Sequence, residues 1–250
     1  MDMSLFLPHP TLNLFTFFPV FLSTYVVSYF VVFRNWSPKQ RAEASSSFTS
    51  LAHGTPAAIM SIRALLETPS PSFASLNSPL HTTIFEFSLA YFLVDLLHYV
   101  VFFPKDTLFI LHHVATMFVL VTCRYVVRHG AYGLVGLLLL AEVTNPFQNV
   151  WSIAGYRKVD VPAAAKLHEL LSPPFFCFYS VVRGVLGPLY VIKLCSFYLS
   201  GAGDGMVPTW AWISWLVIVT VAILVSILWV KSHWVRWFRQ RMHQAHKKGR

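Results

Sequence analysis

The feature that most constrains this chain is a series of long apolar runs, each close to the length of a membrane-spanning helix. A helix needs about 20 mostly apolar residues to cross the hydrocarbon core of a bilayer. The six clear runs are residues 12–33, 83–103, 109–127, 131–150, 174–198 and 208–230. A seventh stretch, residues 48–66, is less apolar because it contains His53, Pro56 and Arg63. The pattern predicts an all-α polytopic membrane protein.

Composition excludes the other broad classes. Hydrophobic residues make up 56% of the 250 residues and charged residues only 12%, about half of the roughly 25% typical of soluble domains. A soluble globule and a disordered chain are both excluded. The three cysteines, Cys123, Cys177 and Cys195, lie in apolar stretches and form neither a disulfide framework nor a zinc pattern. The net charge of +9 is concentrated near one terminus, so we read it as a topology signal rather than as a nucleic-acid surface.

Charge asymmetry favours seven spans. If residues 48–66 cross the membrane, most of the 19 Lys and Arg residues fall on one side, which the positive-inside rule makes cytosolic. The N-terminus is then luminal and the C-terminus cytosolic. If residues 48–66 do not cross, Arg34, Lys39 and Arg41 move to the other side. Residues 12–33 lack a preceding basic segment and a cleavage site, so we expect a retained span rather than a signal peptide.

The chain ends in Lys247-Lys248-Gly249-Arg250. Lysines at the third and fourth positions from a cytosolic C-terminus match the dilysine retrieval signal. The COPI coat recognises this signal and returns the protein that carries it to the endoplasmic reticulum (ER). The alternative is a basic tail that only holds the last helix at the membrane surface. We predict a multi-pass ER membrane protein with residues 244–250 as its cytosolic tail.

Ionisable groups inside spans are expensive and are functional candidates by default. Counting 1.5 Å per residue from the predicted cytosolic ends puts several of them in one layer, in the cytosolic third of the membrane. A shared layer predicts a cavity that opens toward the cytosol. Its members are His53, Asp95, His98, His112, His113, Glu142 and Asn145.

The run His112-His113-x-x-Thr116 carries the most chemistry. Adjacent helix positions diverge by about 100°, so one imidazole can face a cavity while the other is held by a neighbouring helix. Asp95 or Glu142 could orient an imidazole that acts as a base or nucleophile. The alternative is a pair of hydrogen-bonded packing histidines.

Arg183 lies deep in the sixth span and needs an anionic partner. That partner is either a carboxylate of the bundle, in a structural ion pair, or the phosphate of a ligand, which the rim lysines Lys105 and Lys166 could also bind. No histidine spacing demands a metal, so we predict no metal site and no bound cofactor.

Three segments make the chain resemble the TLC-domain family, which includes ceramide synthases. They are Tyr91 to Asp95, then Phe103-Pro104-Lys105-Asp106, then Leu111 to Thr116. Glu142 to Phe147, and Arg183 with Gly187-Pro188, look like the smaller TLC-domain-containing proteins, including plant members. The resemblance covers residues 41–243, with residues 1–40 as a leading helix and loop. It implies six helices around a lipid cavity.

The resemblance also implies chemistry. The paired histidines of ceramide synthases, which match His112 and His113, are needed for acyl transfer from acyl-CoA. Here Glu142 and Asn145 replace two acids of those enzymes, which argues against ceramide synthesis itself. We therefore expect a role in sphingolipid or phospholipid metabolism, with acyl-CoA as a co-substrate. The predicted site has His112, His113 and Asp95 as catalytic residues; its lipid-binding residues are His53, His98, Thr116, Glu142, Asn145 and Arg183.

A second function stays open. Small family members are tied to lipid sensing, membrane composition or ER trafficking, which predicts a non-catalytic protein whose cavity holds a lipid. In either case membrane lipids are the expected partners and nucleic acid is not. The sequence leaves the choice between a monomer and a homodimer open.

Overall fold

The computed structural model describes residues 12–69 and 71–248. Helices account for nearly all of these residues, and the only β-type pairing in them is an isolated bridge between Leu76 and His129. Short π-helical turns, Ser28–Val32, Thr122–Val127 and Val182–Leu186, follow α1, α4 and α7. The α-helices are α1 (Leu14–Val27), α2 (Pro38–Glu67), α3 (Pro79–Phe102), α4 (Thr107–Val121), α5 (Ala131–Glu142), α6 (Asn145–Arg157), α7 (Pro162–Val181), α8 (Gly187–Leu199) and α9 (Thr209–Lys248).

Local sequence signals explain where the first three helices begin. Asn13 caps α1 by accepting a hydrogen bond from the Thr16 backbone. Ser37 and Ser78 do the same for α2 and α3, and each is followed by a proline at the first helical position. A side-chain oxygen at the cap satisfies one orphan backbone N–H, and proline there loses no hydrogen bond.

Five helical stretches are long and apolar enough to cross a membrane. They are Leu14–Val32, Pro79–Phe102, Thr107–Val127, Pro162–Leu199 and Thr209–Arg239. The protein is therefore an all-helical, multi-pass membrane protein, as the sequence predicted. Two of the seven predicted spans, residues 48–66 and 131–150, fall outside this set, so the count of seven stays a prediction.

The helix α2 misses the set because of its composition, and its surroundings explain that composition. Its 30 residues are long enough to cross a bilayer, at about 45 Å. It packs against α1, α3, α5 and α6. Its buried residues are mostly small or polar: Ala42, Ala44, Ser45, Ser46, Ser47, Thr49, His53, Gly54, Ala57, Ala58, Ser61 and Ala64. A helix covered by protein need not match the polarity of lipid, and small residues permit close helix contact.

The run at residues 131–150 is broken rather than continuous. α5 ends at Glu142, and α6 starts at Asn145. Pro146 follows at once; it has no N–H to donate and its ring clashes with the carbonyl four residues earlier. The break leaves carbonyls at the end of α5 without helical partners, and it sets Glu142 and Asn145 at the junction.

The main apolar core forms around α3 and includes Ile84, Phe85 and Leu89. Next to these residues Glu86 is also buried, at 2% exposure. Its carboxylate accepts hydrogen bonds from the Leu14 backbone N–H (3.0 Å), Arg124 Nε (3.0 Å) and the Tyr125 hydroxyl (2.8 Å). One side chain therefore joins the start of α1 to α3 and to the π turn after α4.

Replacing Glu86 with Ala is expected to destabilise the protein by roughly 3–5 kcal/mol, because Arg124 and the Leu14 N–H lose their buried partner. The measurement is the midpoint of thermal unfolding in detergent. The matched control is Glu67→Ala, which removes an exposed ion pair with Arg63 and should change stability by no more than about 1 kcal/mol. Equal midpoints for the two variants would contradict this role for Glu86.

Candidate functional site

The Asp95 carboxylate joins three helices. It is 4% exposed and sits on α3. Its Oδ1 accepts a 2.6 Å hydrogen bond from Ser46 Oγ on α2. Its Oδ2 lies 2.8 Å from His113 Nε2 on α4 and 3.3 Å from the Tyr91 hydroxyl. A buried carboxylate needs this many donors to offset its lost hydration.

The contacts of His113 fix the role of each ring nitrogen. Nδ1 lies 2.7 Å from the backbone carbonyl of Phe109, which can only accept, so Nδ1 carries a proton. Nε2 faces Asp95, and one proton lies between these two groups. Both nitrogens of His113 are therefore occupied, and neither has a lone pair free to attack a substrate.

The neighbouring ring of His112 is in a different situation. It is exposed, it lies perpendicular to the His113 ring with centroids 5.6 Å apart, and no residue in the described part of the chain hydrogen-bonds to it. Arg183, Glu142 and Asp95 all lie within electrostatic range of it. His113 is therefore held by hydrogen bonds, whereas His112 has none from the described residues.

A second histidine and carboxylate meet at the break between α5 and α6. His53, fully buried on α2, has Nε2 3.1 Å from Ser88 Oγ and Nδ1 3.4 Å from Glu142 Oε2. Asn145 Nδ2 donates a 2.6 Å hydrogen bond to the same Glu142 oxygen. The Tyr91 ring stacks on His53 at 4.1 Å. Because the Tyr91 hydroxyl also reaches Asp95, the two polar clusters are in contact.

Arg183 donates hydrogen bonds to the junction between α5 and α6. Its Nη2 donates to the Ala141 carbonyl and its Nε lies 3.4 Å from Thr144 Oγ1. Its guanidinium also lies over the Tyr179 ring, 5.4 Å from the centroid. Among the described residues no carboxylate forms an ion pair with it. Arg183 therefore caps the open end of α5, and two of its five N–H donors are used for this.

The remaining predicted residues are less closely joined to the site. His98 is buried, but its Nδ1 lies 2.8 Å from the Tyr25 hydroxyl on α1. Thr116 is half-buried, and Lys105 and Lys166 are exposed. The side chains of Lys247 and Lys248 lie outside the described part of the structure.

Four residues that contact the site were not predicted from the sequence. Ser46, Ser88 and Tyr91 supply hydrogen bonds or stacking to the polar clusters, but serine and tyrosine are common in membrane helices and gave no separate signal. Gly54 is the fourth, since a Cβ there would lie 2.9 Å from both Glu142 Oε2 and Asn145 Cβ. The concentration of small residues along α2 was the available clue.

The predicted lipid cavity stays a prediction. One open groove of about 570 Å³ lies between α1 and α2 and is lined by Pro19, Val20, Ser23, Thr24, Val27 and Phe48. None of these residues belongs to the predicted site. Within residues 12–69 and 71–248, no group of three or more His, Cys, Asp or Glu side chains is placed to hold a metal ion.

These features define a multi-pass helical protein with a histidine–carboxylate network between its helices. The TLC domain matches residues 11–234 of the chain, and the protein belongs to that family. It is 52% identical over 227 residues to a TLC domain-containing protein of Arabidopsis thaliana, a match that covers 90% of this chain and 89% of the relative. The family match extends across α1. The division of the chain at residues 41 and 243 stays a prediction.

Gly54→Ala should disturb the contact between α2 and the junction of α5 with α6. The added methyl group needs space that Glu142 and Asn145 occupy, and overpacking of this kind destabilises by roughly 1–3 kcal/mol. Thermal unfolding in detergent measures the effect. In the control Gly184→Ala the new Cβ meets only Val230, at 3.9 Å, so its midpoint should match or exceed that of the wild type. A Gly54→Ala midpoint at the wild-type value would show that α2 is not tightly fitted here.

Proposed function

We propose that this protein transfers an acyl group from acyl-CoA to a membrane lipid, with His112 as the residue that carries the acyl group. The observation behind the proposal is the contrast between the two histidines. His113 has both nitrogens occupied by Phe109 and Asp95, whereas His112 is exposed and free of hydrogen bonds from the described residues. A neutral imidazole with a free lone pair can act as a nucleophile near neutral pH.

The proposed reaction has two steps. In the first, an imidazole nitrogen of His112 attacks the thioester carbonyl carbon, the C–S bond breaks, and the thiolate of CoA takes the proton from the other imidazole nitrogen. In the second, an amine or hydroxyl group of the acceptor lipid attacks the acyl-imidazole. The C–N bond to His112 breaks, and the proton of the acceptor returns to the imidazole.

Neighbouring groups support these steps without reacting. The backbone of His113 is continuous with that of His112, so locking the His113 ring between Asp95 and the Phe109 carbonyl fixes the local orientation of α4. Positioning of this kind can account for a large part of a rate enhancement. Arg183 and Glu142 lie within electrostatic range of His112. Charge that develops at His112 during the reaction would therefore interact with charged groups that are already in place.

Family membership supports a lipid-related role, and we extend it to lipid metabolism in the ER membrane. The C-terminus would be cytosolic, so that Lys247 and Lys248 could be recognised for retrieval and cytosolic acyl-CoA could reach His112. The second candidate, a non-catalytic lipid-binding protein in membrane homeostasis, does not account for the contrast between the two histidines. It is the alternative outcome of the experiment below.

Purified protein incubated with palmitoyl-CoA should gain one acyl mass, and peptide mapping should place it on His112. His112→Ala should show no adduct, while His113→Ala should still form it, about 10²-fold more slowly, because the contact with Asp95 that positions α4 is lost. His168→Ala is the control, since His168 Nδ1 contacts the Trp151 carbonyl in a different part of the bundle. Intact-protein mass spectrometry followed over time gives both the adduct and its rate.

Two results would argue against acyl transfer. The first is an adduct that persists in His112→Ala. The second is the recovery of unmodified wild-type protein with a bound lipid after exposure to a panel of acyl-CoAs, which would favour the lipid-binding alternative. An adduct that disappears when an amine lipid is added would identify the second step.

A further inference from the structure

Four polar side chains, each with a donor group that no described residue accepts, gather about 21 Å along α3 from Asp95, at 1.5 Å per residue. They come from the start of α3, the start of α5 and the middle of α8; three of them lie beside the ring of Phe73, and the fourth lies beside Tyr132. We call this group the distal cluster: His81, Tyr132, Tyr190 and Lys193. It shares no residue with the histidine pair and does not depend on the proposed acyl transfer.

His81 shows that something is missing from the contacts of the cluster. It is 1% exposed, and the Ser78 backbone N–H donates to its Nδ1 at 3.2 Å. Because Nδ1 accepts, Nε2 must carry the proton of the neutral ring. That Nε2–H is buried and has no partner among the described residues. Buried donors are rarely left unpaired, since the loss of hydration is not offset.

Tyr190 repeats the situation on α8. Its hydroxyl is buried and also lacks a partner in the described structure. The hydroxyl lies against Gly136 of α5, where a Cβ would overlap it. Tyr132 is one helical turn earlier than Gly136 on the same face of α5.

Ring contacts join the four residues. The His81 and Tyr132 centroids are 6.4 Å apart, and the Phe73 ring lies 6.1 Å from that of Tyr132 and 5.7 Å from that of Tyr190. Lys193 Nζ lies 5.8 Å from the Phe73 centroid. None of the residues that the structure describes accepts a hydrogen bond from Tyr132 or Lys193.

We propose that the distal cluster binds the phosphate group of a membrane phospholipid. An imidazole N–H, two hydroxyl donors and an ammonium group form a set that suits an anionic oxygen acceptor with several lone pairs. The cluster lies near the ends of membrane helices, the depth at which lipid headgroups are found. The phosphate would pair with the buried His81 N–H and the Tyr190 hydroxyl, while the lipid tails lie against the apolar flanks of α5 and α8.

The test uses full-length protein in detergent, loaded with phosphatidylcholine and analysed by native mass spectrometry. Tyr190→Phe and Lys193→Gln should each lower phosphatidylcholine retention about tenfold, the effect of losing one hydrogen bond to a charged group. Tyr190→Phe removes no hydrogen bond to the described residues, and Lys193→Gln removes only the weak contact of the ammonium group with the Phe73 ring, so thermal stability without lipid should change little. Tyr198→Phe is the matched control. Its hydroxyl donates to the Phe73 carbonyl at 2.7 Å, so it should lose stability and keep lipid retention.

Two further arms identify the ligand. Diacylglycerol, which lacks the phosphate, should be retained poorly by the wild type, and millimolar inorganic phosphate should not substitute for the lipid. Wild-type retention of phosphatidylcholine by the Tyr190→Phe/Lys193→Gln double variant would overturn the proposal and leave bound water as the partner of His81. Equal retention of diacylglycerol would overturn the phosphate assignment. Binding of inorganic phosphate without lipid would assign the cluster to a free phosphate compound instead.

Discussion

The burial of the Asp95 carboxylate is the constraint on which the arrangement of the site depends. A carboxylate between apolar helices is stable only if donors surround it. Ser46 of α2, Tyr91 of α3 and His113 of α4 supply them, so three helices must hold their relative rotation and depth. His113 is then held against α3, and His112, the next residue along the helix, diverges from it by about 100° and is exposed.

The break after Glu142 also requires a hydrogen-bond donor from a neighbouring helix. Because α5 ends at Glu142, the Ala141 carbonyl has no hydrogen-bond partner within the helix, and Arg183 donates a hydrogen bond to it. The π turn that carries Arg183 belongs to the longest described helical stretch outside α9, and π turns are frequent at functional sites. Arg183, which was predicted to pair with a carboxylate or a phosphate, therefore caps the end of α5. Its remaining N–H donors can interact with negative charge near His112.

Sequence reasoning found the elements and residues whose signals are local. Apolar runs located α1, α3, α4, α8 and α9, and the rarity of ionisable groups in such runs singled out Asp95, His112, His113, Glu142 and Arg183. It treated residues 131–150 as one span because apolar length outweighed Pro146, the residue that breaks it. It did not find Glu86, Gly54 or His81 as important positions, because their roles depend on partners 38 to 91 residues away or on the absence of a partner among the described residues, and neither leaves a periodic pattern.

The distinction between satisfied and unsatisfied polar groups separates structure from function in this protein. His113, His53 and Glu142 are buried with near neighbours of their own, and removing one of them would first disturb packing. Among the described residues, His112 is exposed and has no hydrogen-bond partner, and the distal cluster has buried donors without acceptors. The two sites suit different groups. A free imidazole lone pair can attack an electrophilic carbon, whereas a set of N–H and O–H donors can bind an anion. In the proposed acyl transfer, the reaction would take place at His112 while the distal cluster held a lipid at the far end of the same helices.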